Sequence, residues 1–190
     1  LSQTDLDVIV LDTEHAPFDR LSADQCISIF RLAGKPVLAR PPSTNPEYIQ
    51  YLLDSGATGI LAPHINSVER AKDLVDACLY GKGRRGYSGS TRAAQFGKLK
   101  MEEYINYVNQ NVVIIAMIED LDAIDKLDDI FQVEGIDAFF IGRADLAASM
   151  GETSVLSESP MALTEKILDA AKKANKSVGM LAVSTKDAAY

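Results

Sequence analysis

The sequence is short of cysteine, of histidine, of positive charge and of long apolar runs. Of its 190 residues only Cys26 and Cys78 are cysteines, which excludes a disulfide scaffold and reads as two buried, reduced thiols. His15 and His64 are the only histidines, and no His/Cys grouping stands at zinc spacing. No apolar run reaches the ~18 residues a membrane helix needs. The first residues, LSQTDLDVIVLD, lack the basic start and long apolar stretch of a signal peptide. Lys and Arg number 19 against 27 Asp and Glu, a net charge of −8. That balance argues against nonspecific binding to nucleic acid or an anionic membrane, which need clustered cations. It leaves room for a local basic pocket that takes a small anion. What is present is ordinary globular material: 47% hydrophobic and 24% charged residues, enough at this length for one core that hides roughly 70% of the unfolded surface. The expectation is a soluble, cytoplasmic protein with a single domain over 1–190.

Short Val- and Ile-rich runs alternate with amphipathic stretches. The runs are Asp7–Leu11, Pro36–Ala39, Gly59–Ala62, Val112–Met117, Ala138–Ile141 and Val178–Val183. Continuous apolar runs suit strands buried on both faces. Helical patterns fill the gaps: Ser22–Ala33 with Ser22 as cap, Pro46–Asp54 after the cap Asn45, Ser67–Leu79, Glu102–Asn109, Leu121–Phe131 and Pro160–Asn175. Strands separated by helices predict βαβ units and a parallel sheet, either doubly wound or closing toward a (β/α) barrel.

The polar residues decide between these. Asp12-Thr13-Glu14-His15, Arg40, His64, Glu119-Asp120 and Arg143-Ala144-Asp145 each follow an apolar run. Active sites of parallel α/β proteins form at the carboxyl ends of the strands, and contributions from four or more strands favour the barrel, whose strand ends share one mouth. Glu119 and Asp145 end consecutive strands. Adjacent strands lie ~4.8 Å apart, so two such carboxylates are placed to share Mg²⁺ or Mn²⁺, or each caps a helix or pairs with an Arg. Asp12 stands three residues before His15. It either fixes the imidazole tautomer of a general base or satisfies a histidine at a strand end. His64 lines the same mouth or begins the next loop. Arg40, held before Pro41-Pro42, neutralises an enolate or carboxylate, or forms a surface ion pair. GKGRRG at 81–86 copies a dinucleotide fingerprint in letters only, because it follows a helix and not a strand. It reads as an ordered loop whose Arg84, Arg85 and Arg92 meet anions or a neighbouring subunit.

In chain order the sequence carries LDTEHAP, VLARPP, LLDSGATGILAPHI, RRGYSGSTRAA, MIED and FFIGRADLAASMG. Together these motifs resemble the HpcH/HpaI aldolase family, class II metal-dependent pyruvate aldolases of the 2,4-dihydroxyhept-2-ene-1,7-dioate aldolase type, over nearly the whole chain. The resemblance implies a TIM (β/α)₈ barrel, here lacking the first and last strands, so the chain is expected to be a piece of a longer protein. It implies reversible aldol cleavage of a 2-keto-3-deoxy or 4-hydroxy-2-oxo acid to pyruvate and an aldehyde through a metal-bound pyruvate enolate. By motif, Asp12 and His15 match the family's base dyad, and Arg40 its enolate-facing arginine. Glu119 and Asp145 match its ligands for Mg²⁺, Mn²⁺ or Co²⁺. Ala144 and Asp145 match the amides that hold the pyruvate carboxylate. Asp54 matches the Asp that reaches a neighbouring subunit's aldehyde site, within a homo-oligomer (a hexamer or trimer of dimers). Aromatic-compound catabolism is the implied setting.

Two residues depart from the family pattern. Met117 stands where many members have Gln, which removes a polar group behind the metal site. Arg143 stands where many have Pro, a charge expected to alter anion or acceptor preference. No Lys ends a strand run, which disfavours a Schiff-base route. Two other readings stand beside the aldolase: a CoA-thioester C–C lyase of the citramalyl or malyl type, and a catalytically silent barrel acting as a binding subunit. The chain has no evident CoA site, and the joint presence of His15, Arg40, Glu119 and Asp145 argues against silence.

Overall fold

A computed structural model describes residues 1, 3–81 and 83–189; Lys82 of the GKGRRG tract lies outside them. Helices separate the strands as the apolar runs predict, two of them in succession after β3 and after β5: β1 (Ile9–Asp12), α1 (Arg20–Leu32), β2 (Val37–Arg40), α2 (Pro46–Ser55), β3 (Gly59–Ala62), α3 (Val68–Cys78), α4 (Met101–Asn111), β4 (Val113–Ile118), α5 (Leu127–Ile130), β5 (Ala138–Ile141), α6 (Arg143–Ser149), α7 (Glu158–Lys173) and β6 (Ser177–Met180). The strand order is β1-β2-β3-β4-β5-β6. The β1/β2, β2/β3 and β5/β6 pairs are parallel. A doubly wound sheet reverses its order at a switch point. This order never reverses, as in a (β/α) barrel, six of whose strands are present.

The chain divides into two compact units, residues 1–63 with 72–115, and residues 64–71 with 116–190. In the first unit, Asp19 and Ser22 start α1 with a reciprocal capping box: Ser22 N–H donates to Asp19 Oδ1 (2.7 Å) and Asp19 N–H to Ser22 Oγ (3.0 Å). The expected cap, Ser22, is therefore the third helical residue, and the helix begins two residues earlier than expected. Asn45 caps α2 as expected, its side chain accepting from the Glu47 N–H ahead of Pro46. Gly56 ends that helix at φ +103°, a left-handed conformation open to glycine at no steric cost. Tyr80, Tyr87 and Tyr104 pack ring against ring, with centroids 5.9–6.3 Å apart. The Arg85 guanidinium lies 4.6 Å from the Tyr80 centroid.

In the second unit, Phe131 and Phe139 stack at 3.9 Å, and Ile118, Ile141, Leu146 and Ile167 are buried. The helix expected over Leu121–Phe131 is instead a 3₁₀ turn (Leu121–Ala123) followed by the four-residue α5. Its apolar residues, Leu121, Ile124, Leu127 and Ile130, recur every three residues, which is the 3₁₀ period and not the α period. The expectation of burial on both faces holds for β3, all of whose residues are buried, but not for β1 or β6. Those two stand first and last in the strand order.

The expectation for Arg143 is corrected. Its side chain does not meet solvent anions. Nη1 and Nη2 donate to Asp187 Oδ1 (2.9 Å) and Oδ2 (2.5 Å), and Nη2 also to Leu181 O (2.6 Å). Each side chain of the pair is only 3% exposed. The guanidinium, followed by the Val183 N–H, holds the Asp187 carboxyl down at about 2. Removing one partner strands the other charge in the interior. Arg143→Met is expected to lower the unfolding midpoint by on the order of 10 °C, read by circular dichroism. A folded carboxyl held below its unfolded value contributes stability above about pH 4, and that contribution fades as the pH falls toward 2. The gap between wild type and Asp187→Asn should therefore narrow over that window. A gap constant with pH would refute the ion-pair account.

Candidate active site

Within the first unit, the β1/β2 register sets Asp12 opposite Arg40, both at the carboxyl ends of their strands. The guanidinium grips the carboxylate with two bonds, Nε to Oδ1 (3.0 Å) and Nη2 to Oδ2 (2.5 Å), the planar fork geometry that arginine supplies. Glu14 Oε2 lies 3.4 Å from the same Nε. Thr13 anchors the turn, its N–H (2.9 Å) and its hydroxyl (2.7 Å) both donating to Arg40 O. Asp12 Oδ1 accepts the main-chain N–H groups of Glu14 (3.0 Å) and His15 (3.2 Å), as turn aspartates do. Burial pushes the Asp12 carboxyl up, but Arg40 and these two N–H groups outweigh it and hold the group below its ordinary range.

The expected Asp12–His15 contact therefore runs through the main chain. The imidazole is 63% exposed, with Nε2 3.6 Å from Glu14 Oε2. The carboxylate beside the imidazole ring is that of Glu14. The pattern assigned it no role, although it sits in the same D-T-E-H run.

Asp54, near the end of α2, accepts from Arg85 Nη2 at 3.0 Å. Burial raises its carboxyl above the ordinary range against the pull of Arg85. It also lines an open cleft of ≈530 Å³ with Arg20, Tyr51, Thr91 and Arg92. The three loop arginines expected to meet anions or another subunit each hold an aspartate of this unit: Arg84 with Asp73, Arg85 with Asp54, and Arg92 with Asp24.

Within the second unit, Glu119 follows β4, and its side chain is only 2% exposed. The Gly142 N–H donates to Ile118 O (3.1 Å), which ties the exit of β5 to that of β4. A Cβ on Gly142 would stand 2.4 Å from Glu119 Cβ and 2.5 Å from Oε2, so only glycine lets the carboxylate lie there. The His64 N–H donates to Glu119 Oε1 (2.8 Å). Asp145 sits half-buried in the first turn of α6, beside exposed Ala144. Among the described residues, no group of three or more His, Cys, Asp or Glu side chains is placed to hold a metal. Two carboxylates completed by water and substrate oxygens is how Mg²⁺ is commonly bound.

Asp120, Asn66 and Arg70 form a network the sequence did not disclose. Asp120 takes His64 Nδ1 (3.0 Å) and Asn66 Nδ2 (3.1 Å), and Arg70 Nη1 donates to His64 O (2.7 Å). Met117 is buried in the core. Two lysines near strands are engaged at strand starts, Lys35 Nζ with Leu6 O (2.9 Å) and Lys176 Nζ with Ile136 O (2.7 Å).

The model of the HpcH/HpaI aldolase/citrate lyase family matches residues 1–189. The chain is 35% identical over 186 residues to a hydroxypyruvate/pyruvate aldolase of Roseovarius nubinhibens, covering 96% of this chain and 72% of that protein. It is also 35% identical over 182 residues to the 2-keto-3-deoxy-L-rhamnonate aldolase of Escherichia coli, covering 94% of this chain and 67% of that one. A crystal structure of an HpcH/HpaI aldolase/citrate lyase family protein from Burkholderia cenocepacia superposes with a TM-score of 0.92 at 28% identity, over 99% of this chain and 76% of that chain.

Proposed function

The chain belongs to the HpcH/HpaI aldolase/citrate lyase family, and from that premise we propose that it is a carbon–carbon lyase. It reversibly cleaves a 4-hydroxy-2-oxo or 2-keto-3-deoxy acid to pyruvate and an aldehyde. The observation that carries this reading is Glu119, a buried carboxylate pinned by a main-chain N–H and by the bare backbone of Gly142. A carboxylate oriented in this way fits a hard divalent cation. Glu119 and Asp145 would hold Mg²⁺, Mn²⁺ or Co²⁺. When bound, that ion supplies Lewis-acid stabilisation of charge on a carbonyl oxygen.

The chain's own groups do the rest. His15 takes a methyl proton from pyruvate and returns it in cleavage, and Glu14 stands beside its ring. Arg40, fixed by Asp12, stabilises the negative charge of the enolate. The main-chain N–H groups of Ala144 and Asp145 hold the pyruvate carboxylate. Asp54 serves the aldehyde end in a neighbouring copy, which makes the active form a homo-oligomer, a hexamer or trimer of dimers. The protein works in the cytoplasm on small molecules. Among its described residues, no helix is long and apolar enough to cross a membrane.

The test is exchange of pyruvate methyl protons with D₂O, followed by NMR, which requires no choice of aldehyde. Exchange should stop with EDTA and return with Mn²⁺. Absence of exchange with Mg²⁺, Mn²⁺ and Co²⁺ alike would overturn the pyruvate reading.

A further inference from the structure

His64 stands in a backbone conformation that residues with a Cβ seldom adopt, at φ +57°. Such strain persists only where surrounding contacts over-determine it, and it concentrates at functional sites. Three contacts hold it here. The His64 carbonyl accepts from Arg70 Nη1 (2.7 Å), its ring Nδ1 meets Asp120 Oδ1 (3.0 Å), and its N–H reaches Glu119 Oε1 (2.8 Å). A carboxylate only accepts, so Nδ1 carries the proton in this pair. Asn66 Nδ2 donates to the other oxygen of Asp120 (3.1 Å), which keeps that carboxylate from turning away. The ring is half-exposed while Glu119 is buried. The ring Nδ1 also lies 3.6 Å from Glu119 Oε1, longer than its 3.0 Å contact with Asp120, so the side chain serves mainly as a handle and the hydrogen bond to the buried acid comes from the main chain.

We propose that His64 is a positioning residue for Glu119. Asp120 and Arg70 lock the left-handed backbone of His64, and that backbone directs its N–H at one oxygen of the buried carboxylate. The inference rests on the reading of Glu119 as a metal-holding residue and adds what orients it. Hydrogen bonds that fix a ligating carboxylate commonly change metal affinity 10- to 100-fold when lost.

The measurement is Mn²⁺ affinity by electron paramagnetic resonance on the full chain, together with hydrogen exchange of the His64 amide. Asp120→Ala should weaken Mn²⁺ binding about tenfold and speed exchange of that amide, with the unfolding midpoint little changed. Asp120→Asn keeps an oxygen for Nδ1–H and should stay close to wild type. His64→Gly tolerates φ +57° and keeps the N–H but loses the handle, so it should match Asp120→Ala. The double variant should be no worse than either single one, because both remove the same contact. If Asp120→Ala and His64→Gly leave both the Mn²⁺ affinity and the amide exchange at wild-type values, the proposal is overturned. If wild type binds no Mn²⁺ yet Asp120→Ala still frees the amide, the positioning stands and the metal reading of Glu119 falls.

Discussion

Glu119→Gln is expected to weaken Mn²⁺ binding at least ~100-fold and to reduce pyruvate proton exchange to the level seen with EDTA. Glutamine has the same shape, and its amide oxygen still accepts the His64 N–H that Oε1 takes at 2.8 Å. The contact with Gly142 is unchanged in volume. What disappears is one negative charge in a place almost closed to water, where electrostatic attraction is screened least. The unfolding midpoint should therefore stay within a few degrees of wild type while metal binding collapses. Asp145→Asn should do the same. Titration calorimetry with Mn²⁺ decides the matter: a Gln variant that binds as tightly as wild type removes Glu119 from the ligand set.

Arg40→Ala is expected to lower kcat by 10²–10³, the usual cost of one donor aimed at developing negative charge. Two carboxylates, Asp12 and Glu14, share this guanidinium. Without it they face each other unneutralised, so the variant should also lose stability near neutral pH. The Asp12 carboxyl is held below its ordinary value. Its stabilising contribution is therefore complete above the ordinary carboxylate range and is lost as the pH falls from there through the lowered folded value. The stability gap between wild type and Arg40→Ala should close on acidification. Arg40→Lys keeps the charge but not the two-bonded grip on Asp12, and should recover stability better than turnover. A variant with wild-type kcat would make Arg40 a purely structural residue.

The strands were legible because their signal is local. Gly59–Ala62 and Ala138–Ile141 fall where their apolar runs fall, and Asn45-Pro46 announces α2 in two letters. The polar residues at strand exits pointed to Asp12, Arg40 and Glu119 for the same reason. Where the reading failed, the deciding contact lay far along the chain or in the backbone. Arg143 looked like a free charge because Asp187, 44 residues later, is what buries it. His15 and Asp12 looked like a side-chain pair, but the three-residue spacing serves the turn's main chain. A positive φ at His64 leaves no mark in the letters P-H-I. The every-third apolar rhythm after Glu119 was readable as a 3₁₀ signal.

The unreversed strand order bears on how the chain reaches this state. Ile9 pairs with Val37 and Ala138 with Ser177, so each strand's partner is the one made just before it. Closing a modest loop costs little chain entropy, and low separation between partners speeds folding. As the polypeptide leaves the ribosome, every new strand finds a template already waiting upstream. Only the outer edge of β1, first in the order, has no partner upstream to wait for.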